Sequence, residues 1–453
     1  LPQGAAAYEK RGVAVMVPEW FPENCIQCNQ CAASCPHATI RPVLATEEEV
    51  EKAPEGFIVR DFQGPVKGLK FRIVIDPQDC YGCGICANTC PARNKALVMK
   101  PIETQLDKQK LWDYAMTLPR KANPVNKNTI RGAMFEPTYF EFSGACAGCG
   151  ETPYVHLVTQ LFGDRMNIAN ATGCSSIYGG NLPTTPWSHD SEGRGPAWAN
   201  SLFEDNAEFG LGFRVSLDKQ MEHAIELLHE AAGAVGQELV DRILANPQKD
   251  EADIAQQREN IEELKKKIAG KPEYARLLAL ADKLVRKSVW ILGGDGWAYD
   301  IGYGGLDHVI ASKQDVNIFV FDTEVYSNTG GQASKASNIG QVAQFAAAGK
   351  EIKSKSLAEI AMTYGYVYVA QIAMGANMIQ TLKAIKEAEA WHGPSLIIGY
   401  SPCEMHSIKG GMMNCQKEMK KAVDCGYWNM FRFNPAAEKK FTLDSKEPTM
   451  PLY

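Results

Sequence analysis

Cys25-Ile-Gln-Cys28-Asn-Gln-Cys31-Ala-Ala-Ser-Cys35-Pro36 is answered further along the chain by Cys80-Tyr-Gly-Cys83-Gly-Ile-Cys86-Ala-Asn-Thr-Cys90-Pro91. Both copies read C-x2-C-x2-C-x3-C-P. Three thiolates on one tight loop cover three irons of a cubane, and the fourth Cys, placed before a turning proline, reaches across to a second cluster. That geometry assigns Cys25, Cys28, Cys31 and Cys90 to one 4Fe-4S cluster, and Cys80, Cys83, Cys86 and Cys35 to another. Structural zinc takes four ligands in paired spacings and disulfides take pairs, so eight cysteines in two identical tetrads overshoot both patterns.

The rest of the composition is that of an ordinary globular protein. At 453 residues and 45% hydrophobic content the chain should hold two to three domains with real cores. A formal charge of −6 leaves no basic footprint for nucleic acid or an anionic membrane. No apolar run approaches the roughly 20 residues that span a bilayer, and residues 1–20 lack the charged start and apolar core of a signal peptide. A cytoplasmic home is the default, and 14 Cys, eight of them at cluster spacings, point to a reducing compartment with little oxygen. The opening Leu1-Pro-Gln-Gly reads as the middle of something longer.

Around the two tetrads, residues 1–118 form the first module, with an approach segment over 1–20 and an insertion from Thr46 to Lys70. In that insertion, Glu47-Glu-Glu49 reads as a solvated face. Phe71–Ile75 alternates as a strand, and Leu106–Leu118 is helical. The Pro- and Asn-rich residues 119–128 read as a linker, followed by a larger domain over 129–440 and a tail over 441–453. Residues 217–287 are helical and charged: Leu217–Leu244 carries apolar residues at helical spacing and breaks at Asn246-Pro247. Ile254, Ile261 and Ile268 then repeat at sevens with Glu263 and Lys267 set for an i, i+4 pair, so the spacing predicts an antiparallel helical hairpin inserted for packing. Compact apolar runs at Val289–Leu292, Asn317–Phe321, Val367–Gln371 and Ser395–Tyr400 alternate with helical stretches near Gln341–Ala348, Leu357–Tyr364 and Met378–Trp391. That alternation predicts a parallel α/β sheet.

Two loops leave neighbouring strands of this sheet at their carboxyl ends, where ligands bind in such folds. Gly294-Asp295-Gly296-Trp297 follows the first, and Asp322-Thr323-Glu324-Val325-Tyr326-Ser327-Asn328 the second. Glycines flanking Asp295 let backbone approach a phosphate. Asp295, the Thr323 hydroxyl and the Val325 carbonyl supply hard oxygens to Mg2+, whose octahedron diphosphate oxygens and water complete. The pairing resembles the thiamine diphosphate motif, Gly-Asp-Gly followed at about this distance by Asn.

Four further cysteines sit in loops: Cys146 and Cys149 in Ser143-Gly-Ala-Cys-Ala-Gly-Cys-Gly-Glu151, Cys174 in Thr172-Gly-Cys, and Cys403 after the strand ending at Tyr400. Their spacing alone does not decide between a third 4Fe-4S cluster and a zinc site of Cys146, Cys149, Cys174 and His406, or buried thiols. Context favours a cluster, which would give electrons from the neighbouring cofactor a route to the two clusters upstream. Cys415 and Cys425 read as packing thiols. His156, His189, His223, His229, His308 and His392, and the stripe Tyr364-Gly-Tyr366-Val-Tyr368, read as core or surface residues.

With these features in this order, the chain resembles the C-terminal part of the pyruvate:ferredoxin oxidoreductases (pyruvate synthases). The likeness is close in Gly294-Asp-Gly-Trp-Ala-Tyr-Asp-Ile-Gly-Tyr-Gly-Gly-Leu-Asp-His308 and Thr323-Glu-Val-Tyr-Ser-Asn-Thr-Gly-Gly-Gln332. The resemblance implies a ferredoxin-like α+β domain with two clusters, followed by an α/β thiamine diphosphate domain with a parallel sheet and a proximal cluster on Cys146, Cys149, Cys174 and Cys403. It implies Mg2+ on Asp295, Thr323 and the Val325 carbonyl, cofactor contacts at Glu151, Cys174, Gly294–Trp297 and Thr323–Asn328, and Asn328 beside the bound 2-oxoacid. The implied reaction is oxidative decarboxylation of pyruvate with coenzyme A to acetyl-CoA and CO2. Electrons would pass singly through three 4Fe-4S clusters to ferredoxin or flavodoxin, in a homodimer of a longer assembly. The pyrimidine-binding and coenzyme A domains of that family have no counterpart here, so turnover would need them on a partner chain or a missing N-terminal part. Another 2-oxoacid oxidoreductase, or an electron-transfer module without catalysis of its own, remains as an alternative.

Overall fold

The computed structural model describes residues 2–452. Its first module is built twice over, as the repeat requires. Met16–Trp20 pairs antiparallel with Leu97–Pro101, and Ile40–Ala45 pairs antiparallel with Lys70–Ile75, which also carries the short strand Arg60–Asp61. Each Cys loop ends in a short helix, Gln30–Ala33 in one copy and Ile85–Thr89 in the other. In both copies the residues flanking the second Cys are left-handed: Gln27 and Asn29 at φ +57° and +60°, Gly82 and Gly84 at +68° and +77°. This winding turns backbone N–H groups inward, toward the thiols. At Gly82 a Cβ would stand 2.6 Å from the Met16 carbonyl oxygen, so only glycine lets this loop lie against the strand.

The second module is organised by one eight-stranded sheet. Its strands begin, in spatial order, at Phe441, Phe431, Tyr368, Ser395, Asn317, Ser288, Met166 and Ala197. The last six are parallel to their neighbours and the first two add antiparallel at the edge. The central strands Ser288–Gly293, Asn317–Asp322 and Ser395–Tyr400 are buried at every position, as sheets covered on both faces are. The parallel α/β sheet expected from the apolar runs is therefore present. Phe441–Leu443, expected in a tail, is its outermost strand.

Two local expectations need correction. The helical region opens at Asn206, and Leu217–Leu244 is not one helix: Asn206–Glu230 ends, a short turn Ala232–Val235 follows, and Gln237–Ala245 restarts after Gly236 at φ +92°. With Glu251–Ile268 and Ala275–Leu280 these helices enclose a separate core in which Ile254, Ile261 and Ile268 are all buried. The region is a small helical cluster instead of a two-helix hairpin. The expected Glu263–Lys267 ion pair does form, at 3.1 Å. Gln341–Ala348 is not helical. Gly340 and Gly349, both left-handed, bracket it, Gly340 N–H donates to Lys350 O, and Phe345 points into solvent with 94% of its surface exposed. An apolar stripe specifies a helix only where a core receives it. No helix among the described residues is long and apolar enough to cross a membrane.

Candidate active site

Four adjacent parallel strands deliver their carboxyl ends to one edge of the sheet. Thr172-Gly-Cys174 leaves the strand Met166–Ala171, Gly294-Asp-Gly leaves Ser288–Gly293, Thr323–Asn328 leaves Asn317–Asp322, and Ser401-Pro-Cys403 leaves Ser395–Tyr400. A single cavity at this edge is lined by Glu151, Cys174, Gly294–Trp297, Thr323 and Val325–Asn328. Glu324 does not join them. It sits at φ +59°, and its carboxylate turns away to accept from Tyr427 Oη at 2.5 Å and Asn338 Nδ2 at 3.0 Å. The side chain expected among the cofactor contacts instead anchors the loop from behind.

Asp295 is 2% exposed and accepts from the Thr323 N–H at 3.2 Å and from Ser334 Oγ at 2.9 Å. Thr323 Oγ1 lies 3.0 Å from the Val325 carbonyl oxygen and accepts from Ser327 Oγ at 2.8 Å. Behind Asp295 lie two more buried carboxylates, Asp322 and Glu324. Among the described residues no lysine, arginine or histidine forms an ion pair with any of the three. Burial first, and the charge of Asp322 next, pushes the Asp295 carboxyl well above the usual range; burial and then Glu324 does the same to Asp322. Burial also raises Glu324 to about 7 against its two hydrogen bonds. Concentrated negative charge without a counter-ion, beside hydroxyl and carbonyl oxygens, fits a hard divalent cation that would keep these groups ionised. Just after Asp295 the chain makes one π-helical turn over Gly296–Asp300, closed by the Ile301 N–H on Gly296 O at 3.0 Å. Such turns gather at functional sites, and no period in the sequence announces this one.

The cysteines also assemble. Cys28 and Cys31 each lie within electrostatic reach of Cys25 and Cys90, while Cys80, Cys83 and Cys86 all sense Cys35. These neighbours follow the crossed pattern, each fourth Cys lying near the other loop, although among the described residues no three His, Cys, Asp or Glu side chains are gathered closely enough to hold a metal ion. Burial is the main cause raising the thiols of Cys28, Cys31, Cys80, Cys83 and Cys86, opposed by backbone N–H groups such as Gln30 N–H on Cys28 and Ile85 N–H on Cys83. Cys86 also senses Cys31, so the two tetrads are neighbours.

In the third group, Cys174 senses Cys149, Cys403 and Cys146. His406, the zinc alternative's fourth ligand, is engaged elsewhere. Its Nδ1 accepts from the Cys403 N–H at 3.3 Å, and its Nε2 meets the Thr323 carbonyl oxygen at 2.5 Å. Both ring nitrogens being spent on backbone, His406 braces the Thr323 loop and is not free to act as a ligand. Glu151 stands between this group and the cavity. It is buried at the start of the helix Thr152–Phe162, accepts from Tyr178 Oη at 3.0 Å, and is raised by burial to about 7. Sequence reasoning missed Tyr178, Ser334 and the lining residue Phe203, since none belongs to a spaced motif.

The 4Fe-4S dicluster domain family matches residues 24–94, and the C-terminal TPP binding domain family of thiamine pyrophosphate enzymes matches residues 265–398. Over 99% of its length the chain is 52% identical to a pyruvate-flavodoxin oxidoreductase of Klebsiella pneumoniae, of which it covers 39%. It is 52% identical over 99% of its length to a pyruvate:ferredoxin oxidoreductase of Moorella thermoacetica, again covering 39%. A solved 2-oxoglutarate:ferredoxin oxidoreductase of Magnetococcus marinus overlaps more loosely, with a TM-score of 0.35 and 17% identity over 59% of this chain and 67% of that one. The chain is thus similar over nearly its whole length to pyruvate:ferredoxin and pyruvate-flavodoxin oxidoreductases, and it spans about two fifths of the length of these curated relatives.

Proposed function

We propose that this chain is the electron-transfer and diphosphate-binding portion of an enzyme that oxidatively decarboxylates pyruvate with coenzyme A to acetyl-CoA and CO2, passing electrons to ferredoxin or flavodoxin. Residues 1–118 carry two 4Fe-4S clusters, 119–128 link the modules, and the sheet beyond carries thiamine diphosphate, Mg2+ and a third cluster. The observation that carries this reading is Cys174. Its side chain lines the cofactor cavity and belongs to the third cysteine group, so cofactor and cluster would share a wall. When bound, thiamine diphosphate supplies an electron sink for loss of CO2 from a 2-oxoacid, and 4Fe-4S clusters accept electrons one at a time.

The chain's own residues hold and orient. Asp295, Thr323 and the Val325 carbonyl would take Mg2+, and the Gly294–Gly296 backbone the diphosphate. Asn328, exposed at the cavity mouth, would face the substrate. Glu151, whose pKa near 7 lets it hold or release a proton at its carboxyl, would line the wall between cofactor and cluster. The third group neighbours the Cys80 tetrad, which neighbours the Cys25 tetrad, giving a contiguous route outward. Pyrimidine and coenzyme A contacts would come from the remaining part of the enzyme, in a cytoplasmic homodimer. The test is Cys174→Ala in the full-length protein under anaerobic conditions. Pyruvate and coenzyme A should no longer reduce the two clusters of the first module, although dithionite still does. Full reduction by pyruvate in that variant would overturn the reading.

A further inference from the structure

The turn Gly411–Cys415 is wedged between two cysteine loops that belong to different modules. Met412 lies so close to Gly148, inside the Cys146–Cys149 loop, that a Cβ at 148 would stand 2.5 Å from the Met412 Cβ. Met413 covers Gly84 in the other loop, where a Cβ would be 3.6 Å from its own. Cys415 is fully buried behind them, its Sγ 3.9 Å from the Pro402 carbonyl oxygen, with the Cys83 and Cys403 thiols and the Glu418 carboxylate near it. The Gly148 N–H itself points at the Cys83 sulfur. One side chain ties the turn to the first module. From the helix Ile85–Thr89, Asn88 Nδ2 donates to the Met413 carbonyl oxygen at 2.7 Å and to Asn414 Oδ1 at 3.0 Å. Among the described residues no other side-chain hydrogen bond joins the Cys80–Cys90 loop to this turn.

We propose that Asn88 is a positioning residue for electron transfer, a clasp that holds the Met412–Asn414 turn against both loops. It thereby sets the separation of the third cluster from the Cys80-loop cluster and keeps the Gly148 N–H on Cys83. The inference rests on the three-cluster reading above. Hydrogen bonds to cluster sulfurs tune the reduction potential, and electron tunnelling slows steeply with distance, so a small slip of this turn acts on both.

The test uses the cluster-loaded full-length protein and two variants. Asn88→Asp keeps size and shape but sets a carboxylate oxygen against the Met413 carbonyl, and Asn414→Ala removes the partner on the turn. Iron and sulfide are counted first. If the wild type lacks a third cluster, the three-cluster reading fails and this inference with it. With the wild type fully loaded, both variants should retain their iron and sulfide. In reductive titrations followed by EPR, the spin–spin splitting between the third and Cys80-loop clusters should change. The potential of the Cys80-loop cluster should fall relative to the Cys25-loop cluster, which serves as internal reference. Unchanged splitting and potential in both variants would overturn the proposal. So would loss of iron from either, because Asn88 would then build a cluster site instead of spacing two.

Discussion

Asp295→Asn separates two effects of one buried carboxylate. The substitution is nearly isosteric: the amide oxygen can keep the Thr323 N–H, 3.2 Å away, and the amide nitrogen can donate to Ser334 Oγ, 2.9 Å away, once that hydroxyl rotates. Only the charge is lost. Removing one partner of a buried charged contact costs about 3–5 kcal/mol. At about 1.4 kcal/mol per decade, Mg2+-dependent binding of thiamine diphosphate should weaken by roughly two to three and a half orders of magnitude. Without cofactor the sign reverses. Asp295 then faces Asp322 and Glu324 with no cation, and its carboxyl is pushed upward by burial and by Asp322, so the charged form opposes folding at neutral pH. Relief of even about 1 kcal/mol should raise the midpoint of the cofactor-free protein by about 2 °C. Quenching of Trp297, which is buried beside the cavity, reports cofactor binding, and a thermal scan without Mg2+ reports stability. A variant that binds the cofactor within threefold of wild type, or is less stable without it, would refute the reasoning.

Further expectations can be checked the same way. Glu324 has a folded pKa near 7 against an ordinary value near 4.5, so the folded state holds its proton more tightly and stability from this group is lost as pH rises through that interval. The difference in unfolding free energy between wild type and Glu324→Gln, measured without cofactor by denaturant titration, should therefore shift against wild type from pH 4.5 to 7. Saturating Mg2+ and thiamine diphosphate should flatten it; a shift of opposite sign would contradict the burial argument. Cys90→Ala should lower iron from about twelve to about eight per chain and speed amide exchange in the Cys25–Cys31 loop. It should leave the adjacent Cys80–Cys86 loop protected, and the reverse pattern would refute the crossed assignment. Leu264→Ala, at a fully buried site of the helical cluster, should destabilise that cluster by about 2–5 kcal/mol. Hydrogen exchange over 237–284 would show it, with cofactor affinity unchanged.

What the sequence made legible was whatever chemistry forces into fixed spacing. The two Cys tetrads, Gly294-Asp-Gly and Thr323–Asn328 are such patterns, and the buried strands announce themselves as unbroken apolar runs. Features that arise only when distant segments meet stayed hidden. Ser334 reaches Asp295 from a loop that has no period, Tyr178 reaches Glu151 across a helix pair, and Phe203 enters the cavity from the loop between the edge strand Ala197–Ser201 and the helix Asn206–Glu230. Glu324 looked like its neighbours in sequence, but a single left-handed residue turned it to the opposite side. The apolar spacing at Gln341–Ala348 suggested a helix because periodicity records where apolar residues fall, not whether a core is there to receive them. His406 was ambiguous for a related reason: a histidine near cysteines can ligate a metal or brace a loop, and only the Thr323 carbonyl at its Nε2 separates the two.

The most direct measurement is the anaerobic content of iron, acid-labile sulfide, zinc and thiamine diphosphate per chain in one sample. About twelve irons and twelve sulfides, one thiamine diphosphate and no zinc are predicted, since the proposed reading gives a four-iron cluster to each of three groups of four cysteines. About eight irons with one zinc would contradict the account, because the wall that Cys174 shares with the cofactor would then hold an ion that carries no electrons.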